Sequence, residues 1–169
     1  MSCDLLPTDL PGPHYQGDVR DVLNDKWDLM VCHPPCTHLA VSGAKHFAVK
    51  RASGVQQEAL DFVRLLLSAP IPRIALENPV SIISTQIRKP DQVIQPWQFG
   101  HEAQKTTCLW LKNLPPLTPT NVVGKGDFYI SPKGKRLPKW YSINKDWRVR
   151  SKTFEGIANA MAEQWGAIL

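Results

Sequence analysis

Two short apolar runs on either side of a helical-period segment constrain the fold more than anything else in this chain. Trp27-Asp28-Leu29-Met30-Val31-Cys32 is stopped by Pro34-Pro35, and Ile71-Pro72-Arg73-Ile74-Ala75-Leu76 is stopped by Glu77-Asn78-Pro79. Runs of this length, ended by residues that break a ladder, predict buried strands. Between them, Ser53-Gly54-Val55-Gln56 has the S-x-x-Q form of a capping box, and Val55, Ala59, Phe62, Val63 and Leu66 follow at helical spacing up to Pro70. Strand, helix and strand in this order predict a right-handed, parallel βαβ unit.

The remaining segments attach to that unit. Pro7, Pro11, Gly12, Pro13 and Gly17 punctuate residues 1–20, which read as a short strand end followed by turns. Residues 86–105 are polar and turn-rich, Thr107–Leu111 is a third strand candidate, and Phe154, Ile157, Ala158, Met161, Trp165 and Ile168 mark one face of a closing helix. A chain of 169 residues, 43% hydrophobic, suits a single domain over 1–169. No apolar stretch approaches the ~18 residues of a membrane span, and the N-terminus lacks the regions of a secretion signal. A cytoplasmic location without a membrane partner is therefore expected, with the four cysteines as free thiols.

Charge is concentrated rather than spread. Between Gly124 and Lys152 lie nine basic residues (Lys125, Lys133, Lys135, Arg136, Lys139, Lys145, Arg148, Arg150 and Lys152) against Asp127 and Asp146, so the whole net charge of +5 and more resides there. Phe128, Tyr129, Trp140, Tyr141 and Trp147 are interleaved with them. Cations among aromatics suit a polyanion whose bases stack, so DNA is the expected partner, with Lys133, Lys135, Arg136, Lys139 and Arg148 as contacts. A solvated surface loop explains the same composition.

In open α/β sheets ligands bind beyond the carboxyl ends of strands, which here carry Pro34-Pro35-Cys36 and Glu77-Asn78. Neighbouring strands are ~4.8 Å apart, so a thiol and a carboxylate one loop beyond each can meet on one planar ring. Cytosine suits the pair: a thiolate adds to C6 if N3 is held by a carboxylic acid, and C5 then becomes nucleophilic. Within a duplex the base must first be flipped out. Cys3, Cys32 and Cys108 read as small buried hydrophobes. Cys32, His33, Cys36 and His38 are metal-ligand types, but structural zinc usually draws on a second, separated cluster, and none follows, so no metal is expected. His38 and Ser42 read as shaping the loop or contacting a nucleotide, and His14, His46 and His101 as surface or capping residues.

The ordered pair Pro34-Pro35-Cys36 and Glu77-Asn78 resembles the Pro-Cys and Glu-Asn motifs of cytosine-C5 DNA methyltransferases. The strings HPPCTHLAVSGAKHF, ALENPVSIIST, QPWQFGHEAQKTTCLWLKNLPPL and SKTFEGIANAMAEQW are similar to a short branch of that family encoded by bacterial viruses. The resemblance implies an α/β fold with a doubly wound, mostly parallel sheet of the S-adenosylmethionine-dependent methyltransferase type, with 124–150 as a small basic insertion. It also implies the cytoplasm of a bacterial host. Cys36 would be the nucleophile, Glu77 would contact the N3 edge and Asn78 would shape the loop. S-adenosylmethionine would be the methyl donor, its ribose at Asp4 and its adenine at Asp18, with Pro34 on the donor side. Two departures accompany this. Gln104-Lys105-Thr106-Thr107 offers Lys105 where the family places arginines on base and phosphate. Met1 falls where the family's second strand begins, so the first strand and its glycine-rich donor loop have no counterpart. A sheet lacking that central strand is expected to expose an edge and to self-associate. The rival expectation is a non-catalytic binder of DNA or nucleotide on the same scaffold, and a third reading is that Met1 is internal and the natural chain starts earlier.

Overall fold

The computed structural model describes residues 1–144 and 146–169, with the backbone alone at Trp147. Lys145 and the Trp147 side chain, both counted in the basic segment, lie outside the described residues. In chain order the elements are β1 (Ser2–Asp4), β2 (His14–Gln16), β3 (Leu29–Cys32), α1 (Phe47–Ala52), α2 (Val55–Leu67), β4 (Arg73–Asn78), α3 (Ile83–Gln86), β5 (Gln92–Ile94), β6 (Thr107–Lys112), β7 (Phe128–Ile130), β8 (Arg136–Pro138), α4 (Lys139–Ile143), α5 (Trp147–Ser151) and α6 (Glu155–Gly166), with 3-10 turns at Val19–Asp21, Val41–His46 and Pro96–Gln98. The protein is mixed α/β.

The expected βαβ unit forms. β3 and β4 pair in parallel, Leu29 opposite Arg73 through Cys32 opposite Leu76, with α2 between them in sequence. β4 runs two residues further than its sequence suggests, because Glu77 and Asn78 pair with Leu109 and Cys108 of β6. That pairing is antiparallel, as is β5 on β6, so the four-stranded sheet β3-β4-β6-β5 is mixed rather than mostly parallel. The correction has a local cause: β5 and β6 are joined by a connection of 12 intervening residues that turns back without a crossover helix. β1 and β2 form a separate parallel pair, and β7 and β8 a hairpin.

Both faces of the main sheet are covered. Ile74, Leu76, Cys108 and Trp110 point into a cluster with Leu60, Val63 and Leu66 of α2. Ala75 and Leu109, alternate residues of the same strands, point into a second cluster with Ile157, Ala160, Met161 and Trp165 of α6. This explains why Ile74-Ala75-Leu76 is apolar without alternation. On α6 the buried face runs through Ala160, while Ala158 and Ile168 lie exposed, contrary to expectation. The capping box does not form. Ser53 has helical backbone angles and closes α1, its N–H donating to Val49 O at 3.0 Å, while Gly54, at φ 83°, starts α2.

Candidate functional site

The loop after β3 is stitched to the end of β4 by its own polar groups. Asn78, buried, donates from Nδ2 to Pro34 O at 2.9 Å. Val41 N–H donates to Val80 O and Ile82 N–H to Leu39 O, both at 3.0 Å, so the two loops run side by side. Gln56 of α2 donates to His38 O at 3.1 Å, and the Lys50 ammonium donates to Thr37 O. Cys36 O accepts from Leu39 N–H and Ala40 N–H, making a tight turn whose anchor, Leu39, is fully buried. The thiol is therefore presented by a fixed loop, and of the four cysteines Cys36 alone is exposed.

Glu77 and Cys36 share one electrostatic environment with Lys105. The Glu77 side chain is only 16% exposed, and its Oε2 lies 3.3 Å from His33 Nδ1. Protein mass around the Cys36 sulfur pushes its thiol up despite the exposure of the residue, its own backbone N–H pulls it down, Glu77 adds to the rise, and Lys105 and Lys50 oppose it. Lys105 responds in kind: burial pushes its ammonium down, and Glu77 and Cys36 hold it up. Burial, then Glu77, drives Cys32 up to about 12 and Cys108 upward, which leaves both inert beside the exposed thiol.

The basic segment folds onto this crevice. Lys105 Nζ donates to Lys152 O at 3.0 Å and lies 5.9 Å from the ring centres of both Trp140 and Phe154. Burial raises the Tyr141 hydroxyl, Arg150 lowers it and Cys36 raises it again, so α4 carries its aromatic pair toward the cysteine. The other cations lie further along the segment. Lys133 and Lys135 sit in the exposed turn between β7 and β8, Arg136 stacks its guanidinium 3.8 Å over Phe128, and Lys139 pairs with Asp127 at 3.2 Å. Arg148 is exposed, and its N–H donates to Asp146 Oδ1 at 2.9 Å.

Asp4, Asp18 and Pro34 meet elsewhere, on the wall of an open cavity of about 660 Å³ between β1 and β3. Asp4 Oδ1 accepts from Leu6 N–H at 2.9 Å. Asp18 is held below the usual carboxylate range by Arg20 N–H and by the Arg20 guanidinium at 2.7 Å. His33, Lys50 and Tyr141 are members of the Cys36 neighbourhood that no sequence motif announces. His33 adjoins the proline pair, which is the one legible clue; the others arrive through the packing of helix and arm. His101 is a cap, accepting Gly156 N–H at 2.9 Å at the start of α6.

A thiol on a loop and a hydrogen-bonded carboxylate at the adjoining strand end, beside a half-buried ammonium, can add a nucleophile to a planar ring and hold the ring's polar edge. Comparison of the chain with protein-family models, with curated proteins and with solved structures gives no match.

Proposed function

We propose that this chain is a DNA cytosine-C5 methyltransferase-like protein whose reaction centre is the Cys36–Glu77 crevice. The observation that carries the reading is the placement of the one exposed thiol on a loop bonded, through Asn78 and Pro34, to the strand end that bears Glu77. The Cys36 thiol would give up its proton, Glu77 would deliver one to cytosine N3, and as the sulfur bonds to C6 the electron pair displaced from the C5–C6 bond would collect at C5. Lys105 and Lys50 would offset the thiolate charge. The basic arm, with Lys105 at its root, would engage phosphates and keep the base out of the stack.

S-adenosylmethionine would supply an electrophilic methyl group at C5. Asp4 and Asp18 on one cavity wall suit the ribose and adenine of such a donor, with Pro34 across from them. The opposite end of a donor finds no counterpart among the described residues on that wall, which favours the second reading, a non-catalytic binder of DNA or nucleotide on this scaffold.

A test independent of the donor separates the two. Thiolate addition at C6 lets C5 exchange its hydrogen with water, so DNA tritiated at cytosine C5 should release label when mixed with the chain. Cys36→Ser should stop the release and Glu77→Gln should slow it. Release that survives Cys36→Ser but disappears in Cys32→Ser or Cys108→Ser would overturn the assignment, and binding without any release would leave the binder.

A further inference from the structure

We infer that the cavity between β1 and β3 is a slot for an extended apolar segment of another polypeptide, which would pair with both strands at once. The proposal stands on backbone geometry and does not depend on the chemistry of Cys36.

The pairing pattern shows which way the edges face. Ser2 N–H donates to Pro13 O at 3.0 Å and Gly17 N–H to Asp4 O at 2.9 Å, so Ser2 and Asp4 direct their backbone groups toward β2. By the alternation of a parallel ladder, Cys3 turns its N–H and C=O the other way. That way lies the cavity, lined by residues 1–5 around β1, by residues 29–35 around β3 and by Gly17, Asp18 and Val19 just after β2, with none of His14–Gln16 on its wall. Among the described residues β3 pairs with β4 alone, so half of its backbone groups also face the slot. Two rows of peptide donors and acceptors thus look into one space, and a strand is the ligand that matches both.

The side chains agree. Phe62 and Leu66 of α2 and Trp27 line the same cavity. Met1, Leu5 and Val31 on its walls are 62%, 71% and 37% exposed, an apolar lining without a cover. Charge selects the occupant further. Asp4 has no cationic partner among the described residues, whereas Asp18 is paired with Arg20. The fitting partner is therefore an apolar extended segment with a lysine or arginine where it passes Asp4. A nucleoside in the same space would leave most of the facing backbone groups unpaired.

The probe is a strand of alternating valine and threonine with a lysine at each end, joined to Met1 of the full chain by a flexible glycine-serine linker that raises its local concentration. The readout is amide hydrogen exchange. Slowing by about tenfold or more at Cys3 and at β3 together, with Ile74–Leu76 unchanged as a folded reference, is the expected result. A fusion with proline at alternate probe positions should give no slowing, and Asp4→Asn should weaken it. Protection of one edge only, or equal protection with the proline probe, would overturn the slot. So would protection of both edges by S-adenosylmethionine alone or by raising the concentration of the unfused chain, which would assign the space to a nucleoside or to a second copy. If the fusion fails to fold, the same peptide added free at millimolar concentration to the unmodified chain gives the same readout.

Discussion

Desolvation, and then Glu77, pushes the Cys36 thiol above its ordinary value against its own backbone N–H, Lys105 and Lys50, so burial favours the protonated form. A nucleophile in this state needs its proton removed or its charge balanced when substrate arrives. The sign gives a direct prediction. Alkylation of Cys36 by iodoacetamide should accelerate with pH beyond the point where a free thiol, ionising near ~8.5, has already levelled off. Glu77→Gln removes a negative charge and should shift the profile to lower pH. Lys105→Met removes a positive one and should shift it higher. Identical profiles for all three chains would mean that Glu77 and Lys105 do not act on the sulfur. Asn78 works through the backbone instead. Asn78→Ala removes the bond to Pro34 O and should cost about 1–3 kcal/mol in urea unfolding, since the carbonyl at the loop root is left without its partner.

α6 and the basic arm test how elements hold the crevice together. A Cβ on Gly156 would sit 1.9 Å from Phe99 O, so Gly156→Ala must push α6 off the loop that caps it, at a cost of about 1–3 kcal/mol. Gly166→Ala at the other end of the same helix meets nothing within 4 Å and should be neutral or mildly stabilising, which makes the pair an internal control read by urea midpoint. For the arm, replacing Lys133, Lys135 and Arg136 with alanine should weaken DNA binding and flatten its salt dependence by up to about 0.9 for each phosphate that is no longer neutralised. An unchanged slope would assign the hairpin to solvent or to another partner. These elements were unequally legible. α2 and α6 announce themselves because burial on one face imposes a helical period, and the β3–β4 pair because burial leaves short apolar runs ended by ladder-breaking residues. β2 and β5 do not: three residues each, His14–Gln16 and Gln92–Ile94, are too short to show a period and are strands only because β1 and β6 lie beside them. The neighbourhood of Cys36 was half legible. Prolines and strand ends locate Cys36, Glu77 and Asn78, whereas Lys50 and Tyr141 reach it from α1 and α4 through tertiary packing that leaves no local pattern.

The strands fall into three separate sheets, and the separation of β1-β2 from the four-stranded sheet bears on what the molecule can do unaided. β4 and β6 lie at the centre of a sheet covered on both faces, whereas β1 and β2 bond only to each other and the cavity opens between them and β3. Amides of β4 and β6 should exchange near the global unfolding limit, and those of β1 and β2 much faster. The two candidate donor contacts, Asp4 and Asp18, belong to the weaker part, while Cys36 and Glu77 belong to the stronger. Methyl transfer requires both parts to hold their ligands in register, and a misplacement of about 1 Å can cost a hundredfold in rate. The expected outcome is that this 169-residue chain alone transfers no measurable label from radioactive S-adenosylmethionine to unmethylated DNA, even where tritium release shows Cys36 to be competent. Robust transfer by the unaided chain would sink the idea, because it would mean that β1, β2 and β3 already hold the donor and that the cavity is a finished pocket.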